Sequence, residues 1–411
     1  MEKLIWFPAI TFSTVLNGKK INMEKKRIID YSWNIPKGGL PKVMMKEYHY
    51  LLKLGYDVSL ATSDVVPDSY KDEMKNENVN ILFDKDREIT AKKTDISHYF
   101  PGLNLMVNGG FISRMVKLTL YLKSQKAEIV IVHQLLSAIL TLPFRLLFRK
   151  PYILILHDNP FSFIESSNYE KMSVTKKITS HFVYYLCILG IRLSKITICT
   201  TKFIENNLKE HISQTEKIIV VDYGLDYFPE EIKEVRELIL TVSKWSNFRN
   251  PSAYLNLLRY LPKEIVLTMV GRWDTKKELD DFRNEVIKNE LQKRIVIMEN
   301  VSETELAHLY KKTKVFIRLG FNEHGTGQAI LEAISYGCPV VISKGLGASE
   351  FIIDGKEGFL VDENNLQVVS ERIMHIYNSE QLVTKMSEAS QNLVLKNSWE
   401  NYLSKIHDVI L

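Results

Sequence analysis

The sequence predicts an α/β fold built from two consecutive doubly wound halves, each with a parallel sheet covered by helices. Three observations predict it. The 411 residues exceed one ordinary core and suit two domains of roughly 150 to 200 residues each. Short, fully apolar runs of strand length alternate with amphipathic helical runs along most of the chain. This alternation is interrupted near residue 230, which separates two series of the same kind.

The first series opens with a β-loop-α-β unit. A strand at 27–31 is followed by a loop that contains Gly38 and Gly39, a helix at 42–54 and a strand at 57–62. A unit of this kind starts a parallel sheet. Further strands of the first half are predicted at 79–83, 129–132, 152–156 and 196–200.

The second series repeats the pattern after an acidic, proline-containing boundary at 224–237. Its strands are predicted at 238–242, 266–270, 295–298, 315–318, 339–342 and 358–361, and two of its helices at 277–289 and 303–311. Ligands of open α/β sheets bind beyond the carboxyl ends of the strands, so a cleft between the halves is the expected site.

These boundaries predict a Rossmann-like N-terminal domain at 23–230 and a Rossmann-like C-terminal domain at 231–395. A final helix at 396–411 can cross back to the N-terminal domain. Residues 1–22 are expected to be an extension, because the apolar stretch 4–16 is too short to span a membrane and lacks a small-x-small cleavage site. A signal peptide is the alternative interpretation of this extension.

The composition indicates a globular chain with an uneven charge distribution. Hydrophobic residues make up 45% and charged residues 25%, and Cys187, Cys199 and Cys338 lack the spacing of a zinc site or a disulfide framework. We therefore expect buried thiols and a cytoplasmic protein. The formal charge is +5, and residues 101–200 hold twelve Lys or Arg against four acidic residues.

The segment 324–333, His-Gly-Thr-Gly-Gln-Ala-Ile-Leu-Glu-Ala, leads from a strand into a helix that ends at Gly337. Backbone amides at such a glycine-rich helix start bind anions, and a diphosphate fits this kind of site. Gln328 and Glu332 lie one turn apart on one face, so the Glu332 carboxylate can accept hydrogen bonds from vicinal hydroxyls such as those of a ribose. A solvated Glu on a packed helix after a tight turn is the alternative.

The stretch 323–341 resembles the donor signature of the family 4 glycosyltransferases, which are retaining enzymes of the GT-B fold. Other parts of the family pattern occur in the family order: Gly38-Gly39, His157-Asp158, Tyr223-Gly224-Leu225-Asp226, Lys244 with Arg249, and 347–358. The resemblance implies that Glu332 binds the donor ribose, that Gly39 approaches the phosphates from the N-terminal domain and that His157 faces the donor sugar. It also implies that four residues of the signature lie against the sugar and the diphosphate: Gly325, Thr326, Gly327 and Gln328.

The remaining site residues implied by the resemblance are charged or titratable. Lys244 and Arg249 would stabilise the negative charge that develops on the leaving diphosphate. His324, directly after Glu323, occupies the position where the family has a Glu that holds the transferred sugar, so the sugar is left open. No general base is assigned. A nucleotide-diphosphate sugar is the expected substrate, without a metal cofactor.

The resemblance implies transfer of a hexose-like sugar to a glycan or lipid-linked acceptor, as in polysaccharide biosynthesis. Two alternatives come from other classes. One is a nucleotide-sugar epimerase or phosphorylase of the same fold, and the other is a non-catalytic nucleotide-sugar-binding protein.

An Asp-x-Asp string and two apolar runs with basic flanks each allow more than one interpretation. The string Asp84-Lys85-Asp86 could grip a divalent metal, but its charged surroundings favour a solvated turn. The apolar runs 140–150 and 182–191 carry basic flanks, so they either lie on an anionic membrane surface at the inner face of the cell membrane or are ordinary core helices. The basic residues lack interleaved aromatics, and no nucleic-acid partner is predicted.

Overall fold

The computed structural model describes residues 26–34, 39–63, 79–82, 110–161, 174–213, 215–228, 235–246, 249–320, 323 and 325–411, without the side chains of residues 175 and 176. The predictions for residues 1–22, Gly38, the Asp84 to Asp86 string and His324 lie outside the described residues.

The N-terminal half forms a seven-stranded parallel sheet in the order β3-β2-β1-β4-β5-β6-β7. Its strands are β1 (Arg27–Ser32), β2 (Asp57–Thr62), β3 (Asn80–Ile81), β4 (Ile129–His133), β5 (Tyr152–Leu156), β6 (Ile196–Cys199) and β7 (Ile218–Val220). Its helices are α1 (Gly39–Lys53), α2 (Gly110–Ser124), α3 (Leu135–Phe148), α4 (Val174–Leu193) and α5 (Lys202–His211).

The C-terminal half forms a six-stranded parallel sheet in the order β10-β9-β8-β11-β12-β13. Its strands are β8 (Leu238–Val242), β9 (Leu267–Val270), β10 (Ile295–Met298), β11 (Thr313–Arg318), β12 (Val340–Ser343) and β13 (Gly358–Val361). The helices are α6 (Ser252–Leu258), α7 (Lys276–Lys288), α8 (Glu303–Lys312), α9 (Gln328–Ser335), α10 (Leu366–Tyr377), α11 (Glu380–Lys396) and α12 (Trp399–Ile410), with a 3₁₀ turn at Gly347–Phe351.

In both parallel sheets the order of the strands changes direction beside the first strand, which confirms the predicted fold class. The N-terminal sheet turns between β1 and β4, and the C-terminal sheet turns between β8 and β11. Ser32 and His133 are paired in register, so the carboxyl ends of β1 and β4 are level. Ligands of doubly wound sheets bind beyond such reversal points. The two reversals therefore define where the site should lie.

Successive residues of the N-terminal strands pack into different layers because side chains alternate across a sheet. Ile153 and Ile155 of β5 pack in the layer that includes α1, whereas Leu154 and Leu156 pack in the layer that includes α2, α3 and α4. Both faces of the sheet are thus covered. The thiols of Cys187, Cys199 and Cys338 are buried and free, as expected.

The last helix packs on the N-terminal half although it follows the C-terminal half in sequence. The Leu225 amide donates to the Asn397 carbonyl at 2.7 Å, which places the two chain crossings side by side. From α12, Tyr402 donates to the Glu47 carboxylate on α1, and His407 lies 3.0 Å from the Tyr56 hydroxyl. The N-terminal core is therefore completed by the end of the chain.

Candidate functional site

The start of α9 has the geometry of an anion site. Gly327 adopts a left-handed conformation with φ 61° and, as the N-cap residue, supplies no capping side chain to the first turn of the helix. A Cβ at this φ would be strained, so glycine suits the position. Thr326 is buried directly before it. Backbone amides of an uncapped first turn, together with the helix dipole, attract a phosphate group.

Glu332 lies one turn further along α9 and faces helix α1 of the other domain. The Tyr310 hydroxyl donates to Oε2 at 3.2 Å, and Lys42 Nζ lies 3.7 Å from Oε1. Burial raises the pKa of Glu332, although Lys42 and the Tyr310 hydrogen bond act in the opposite direction. Tyr310 thus holds Oε2 of the carboxylate, whereas Oε1 faces Lys42 of the other domain.

Two glycines allow the domains to approach each other at this cleft. A Cβ built on Gly39 would lie 2.3 Å from Cγ of Gln328, and a Cβ built on Gly325 would lie 2.8 Å from the carbonyl oxygen of His157. Real Cβ atoms essentially never come so close to other atoms. The N-terminal domain therefore approaches the α9 region through glycine at two points, Gly39 against Gln328 and Gly325 against His157.

Glu323 belongs to a cluster of three charged groups at the carboxyl end of β11. Arg318 Nη2 contacts both carboxylate oxygens, at 2.7 and 2.9 Å, and Arg249 forms an ion pair with the same carboxylate. Burial, followed by the charge of Arg318, lowers the pKa of Arg249 from 12.5 to about 10, so its guanidinium stays charged at neutral pH. Glu323 thereby holds Arg249 in place.

Arg318 was not among the residues singled out from the sequence. It ends an otherwise apolar strand, is 4% exposed and lies 5.8 Å from the centre of the Trp245 ring. Charged residues are almost never this buried unless they are paired. A charged residue at the carboxyl end of a central strand is the sequence signal that could have identified it.

Lys244 follows β8, which is the neighbour of β11 at the point where the strand order of the C-terminal sheet changes direction. Its Nζ lies 2.6 Å from an oxygen of Asp274, and the side chain is 56% exposed. The Asp274 side chain is only 11% exposed, so Lys244 is the solvent-facing member of the pair and the one that a bound anion can reach. The two predicted cations, Lys244 and Arg249, thus sit at the reversal point together.

His157 lies between two rings at the carboxyl end of β5 and is nearly coplanar with both. The ring centre of His133 lies 5.1 Å away and that of Tyr223 5.7 Å away, with interplanar angles of 10° and 9°. His133 Nδ1 is 2.9 Å from Nε2, and the Tyr223 hydroxyl contacts Nδ1. Both nitrogens of His157 are engaged within the protein, and its carbonyl oxygen is the part that lies against Gly325.

A buried acidic pair explains the protonation of these histidines. His133 Nε2 lies 2.9 Å from Asp30 and 3.2 Å from Glu47, and all three side chains are fully buried. The two carboxylates outweigh burial and raise the pKa of His133 to about 10, whereas burial and the nearby His133 charge lower the pKa of His157. The charged His133 therefore donates from both nitrogens, and the neutral His157 accepts at Nε2.

The same three side chains are the group among the described residues whose ligand atoms lie close enough to hold a metal ion, within 4.8 Å of one another. The His133 nitrogen that a metal would need is instead hydrogen-bonded to Asp30 and lies within ion-pair distance of Glu47. The sequence did not single out this cluster, because its members come from three separate elements.

The predicted site residues within the described part of the chain are grouped around one cleft. The C-terminal domain contributes Lys244, Arg249, Glu323, Gly325, Thr326, Gly327, Gln328 and Glu332, and the N-terminal domain contributes Gly39 and His157. An anion-binding helix start, a carboxylate and two cations at a domain junction can bind a phosphorylated ligand and stabilise charge on its phosphates.

Two family models match consecutive parts of the chain. The model described as "Glycosyltransferase Family 4" matches residues 37–227, and the model described as "Glycosyl transferases group 1" matches residues 225–393. The two matches meet at Leu225, beside the crossing to Asn397.

The curated relatives match shorter parts of the chain. An uncharacterized glycosyltransferase of Methanocaldococcus jannaschii is 26% identical over 52% of this chain and 58% of its own length. The poly(glycerol-phosphate) alpha-glucosyltransferase of Bacillus subtilis is 22% identical over 44% of this chain and 27% of its own length. The chain thus spans little more than half of the first relative and about a quarter of the second.

Solved structures match over nearly the whole chain. Anabaena HepE in complex with UDP and glucose superposes with a TM-score of 0.70 at 14% identity, covering 94% of this chain and 99% of that one. Sucrose-phosphate synthase of Thermosynechococcus elongatus gives a TM-score of 0.72 at 14% identity, covering 94% and 98%. At such identities the likeness establishes the two-domain GT-B fold.

The fold, the arrangement at the cleft and the two consecutive family matches lead to one conclusion: the chain belongs to the glycosyltransferases, with a Family 4 domain followed by a group 1 domain.

Proposed function

We propose that this protein is a retaining glycosyltransferase that transfers a hexose-like sugar from a nucleotide-diphosphate donor to a glycan or lipid-linked acceptor. The observation that carries the proposal is the uncapped start of α9 at Gly327, with Glu332 one turn behind it and the N-terminal domain directly opposite. This spacing suits a diphosphate beside a ribose.

In the proposed complex, the diphosphate lies at the first turn of α9 and the ribose hydroxyls donate to Glu332. Donor binding would displace Lys42 from Oε1, since their separation of 3.7 Å marks a weak contact. Lys244 and Arg249 would stabilise the negative charge that grows on the leaving diphosphate. No metal is required in this arrangement, because two protein cations supply the positive charge.

The nucleotide is proposed to be uridine diphosphate. Support comes from the solved complexes of Anabaena HepE with UDP and with UDP-glucose, which share this fold. The contacts proposed for the ribose and the diphosphate do not involve the base, so a panel of nucleotides is the way to identify it.

Retention of configuration is proposed from the relatives, and the state of Glu323 argues against a route through a covalent sugar–Glu323 intermediate. A carboxylate paired with Arg318 and Arg249 is a poor nucleophile, because attack would require breaking both ion pairs. The leaving phosphate is then the group that takes the acceptor proton. The B. subtilis relative is named as an alpha-glucosyltransferase, which fits retention from an alpha-linked donor.

The contacts of Glu323 also affect which side chain can hold the hydroxyls of the transferred sugar. This carboxylate is occupied by two arginines, so the sugar hydroxyls would be held by the neighbouring position, His324. A histidine can donate to one hydroxyl but cannot accept from two at once. We therefore propose that the transferred sugar differs in its hydroxyl contacts from those of family members that have a Glu at this position.

A thermal-shift panel of nucleoside diphosphates and their sugar conjugates tests the proposal. A donor present at a hundred times its dissociation constant should stabilise the fold by about 2.7 kcal/mol. Glu332→Ala should weaken donor binding about tenfold or more, since a hydrogen bond to a charged group contributes about 1.5 to 3 kcal/mol. Glu388→Ala, an exposed Glu on α11, is the matched control and should bind the donor normally.

Product analysis separates the alternatives. Slow hydrolysis of the donor without an acceptor, lost in Glu332→Ala, supports a transferase. Interconversion of two nucleotide sugars would show an epimerase, and turnover that requires inorganic phosphate would show a phosphorylase. Binding without any turnover over a broad acceptor panel would show a binding protein. A panel in which no member shifts the protein contradicts the proposal as a whole.

The place of the reaction is proposed to be the cytoplasmic side of the cell membrane. Support comes from the excess of basic residues between 101 and 200 and from the possibility of a lipid-linked acceptor. Among the described residues, no helix is both long and apolar enough to cross a membrane.

A further inference from the structure

Helices α2, α3 and α4 form one layer on the N-terminal sheet, with α3 packed between the other two. Their inner faces join the core: Leu118 and Leu122 of α2, and Val183, Cys187 and Ile191 of α4. This much agrees with ordinary core helices. The outer faces decide between that interpretation and a membrane surface.

The outer face of α4 is apolar over its whole length. Its exposed hydrophobic side chains recur at helical spacing and are between 40% and 73% exposed: Val174, Ile178, Phe182, Tyr185 and Leu189. A helix that covers a soluble domain normally presents polar residues to water. Here the described polar side chains that are exposed on the same helix are His181 and Arg192.

The neighbouring helices extend the same apolar surface. Ile112, Val116 and Leu120 recur at intervals of four along α2, and Leu146 and Leu147 project from the end of α3; all five are more than half exposed. Soluble monomers rarely expose large contiguous apolar patches, and larger ones mark sites of interaction with proteins or membranes. We call the outer faces of α2, α3 and α4 the three-helix surface.

The charges on these helices favour a lipid surface as the occupant. The three helices contain no Asp or Glu in their sequences, and their charged residues are all basic: Arg114, Lys117, Lys123, Arg145, Lys176, Lys177 and Arg192. Apolar side chains surrounded by Lys and Arg are typical of helices that lie in the interface of an anionic bilayer. Each basic residue near such a surface contributes about 1 kcal/mol to binding.

The three-helix surface is also placed suitably for an acceptor carried by lipid. Helix α3 begins two residues after His133, at the carboxyl ends of the strands, where the site lies. Helix α4 connects the carboxyl end of β5 to the amino end of β6. We infer that the three-helix surface docks the protein on an anionic membrane, lying flat in the interface without crossing it.

Vesicle flotation tests the inference with the full chain. Vesicles that contain phosphatidylglycerol should carry the protein at low salt, whereas vesicles of phosphatidylcholine alone should carry much less. The double variant Ile178→Ser with Phe182→Ser should lower the partition coefficient about tenfold or more, because two exposed apolar side chains no longer enter the bilayer. Lys117→Ala with Arg192→Ala should lower binding at low salt and leave high-salt binding unchanged.

A matched control keeps the experiment specific. Ile287→Ser with Ile353→Ser removes two comparably exposed side chains from the C-terminal domain and should bind vesicles as the unchanged protein does. All these positions are exposed, so the variants should fold, which thermal unfolding verifies. Absence of low-salt binding to anionic vesicles overturns the inference. Equal loss in the control variant, or concentration-dependent self-association through this surface without vesicle binding, overturns it too.

Loss of membrane docking can be distinguished experimentally from loss of the donor site. A nucleotide that shifts the melting temperature of the double variant as it does that of the unchanged protein shows that the donor site is intact. Loss of vesicle binding with normal donor binding therefore concerns the three-helix surface alone.

Discussion

Single residues at this site act largely through the groups that hold them. Arg249 is placed by Glu323, which Arg318 fixes, and His157 is placed by His133, which two buried carboxylates keep charged. Removing one partner of a buried charge group leaves the others uncompensated, and this is strongly destabilising.

The buried cluster gives a prediction on stability. His133→Gln keeps a hydrogen-bonding side chain but removes the cation between Asp30 and Glu47, so the free energy of unfolding should fall by about 3 to 5 kcal/mol at neutral pH. Chemical denaturation measures it. The exposed His308→Gln is the control and should change the stability little.

The pH dependence of this difference follows from the direction of the shift. Folding raises the pKa of His133 from 6.5 to about 10. A group whose pKa is raised on folding stabilises the protein fully below its unfolded pKa, and this stabilisation is lost as the pH rises through its folded pKa. The difference between the unchanged protein and His133→Gln should thus narrow between about pH 7 and about pH 10. A difference that grows over this range would contradict a charged His133.

Residues from distant parts of the chain are the ones that sequence patterns missed. The signature residues occupy one short segment, so their spacing alone indicated an anion site at Gly327. Asp30, Glu47 and His133 lie on separate elements, and Asp30 and His133 are 103 positions apart. Only the pairing of β1 with β4 brings them together.

At the scale of elements, two close contacts between the domains are each made at a glycine. Gly39 receives the Gln328 side chain, and Gly325 receives the backbone of His157. The first contact involves a side chain that can be shortened, whereas the second involves a main-chain atom that cannot.

This difference predicts which variant can be rescued. Gly39→Ala should weaken donor binding, because the added methyl group collides with Cγ of Gln328 and keeps the domains apart. Adding Gln328→Ala should recover part of that loss, with a coupling energy of about 0.5 to 3 kcal/mol in a double-mutant cycle of donor dissociation constants. Gly325→Ala should not be recovered by Gln328→Ala. Additive effects of Gly39→Ala and Gln328→Ala would show that the two groups do not meet when the donor binds.

Strands of four residues or more were predictable, and the two- and three-residue strands at the edges of the N-terminal sheet were less so. The strands at 57–62, 152–156, 238–242, 295–298 and 358–361 have the predicted bounds. Of the strand predicted at 79–83, the described residues 79–82 form a strand at Asn80–Ile81, and the edge strand Ile218–Val220 was not predicted. An edge strand of three residues owes its conformation to pairing with β6, which a local pattern does not reveal.

At the scale of the whole molecule, the two halves depend on each other for more than the site. The Glu350 carboxylate of the C-terminal half accepts hydrogen bonds from the Lys202 and Phe203 amides at the start of α5, at 2.6 and 2.7 Å. A carboxylate at a helix N-terminus is favoured by the helix dipole. Helix α12 adds a second connection, in which Tyr402, Leu403 and Ile406 enter the core beside α1.

Removal of residues 398–411 should therefore destabilise the distant N-terminal half. The deletion exposes the apolar surface that α12 covers and leaves Glu47 without the Tyr402 hydroxyl. Hydrogen exchange in α1 should become faster, while exchange in the strands of the C-terminal sheet should change much less. Deletion of the exposed Leu411 alone is the control. Unchanged exchange in α1 would show that α12 contributes nothing to the N-terminal core.

The paired crossings at Leu225 and Asn397 also limit how the domains can move. A single connecting strand permits bending and twisting in every direction, whereas two strands that cross side by side and are hydrogen-bonded to each other resist twisting. We therefore expect the domains to move mainly by rotation about one axis through the crossings. Such a rotation would bring Gly39 back to Gln328 along one path, so closure over a donor would need no search over domain orientations.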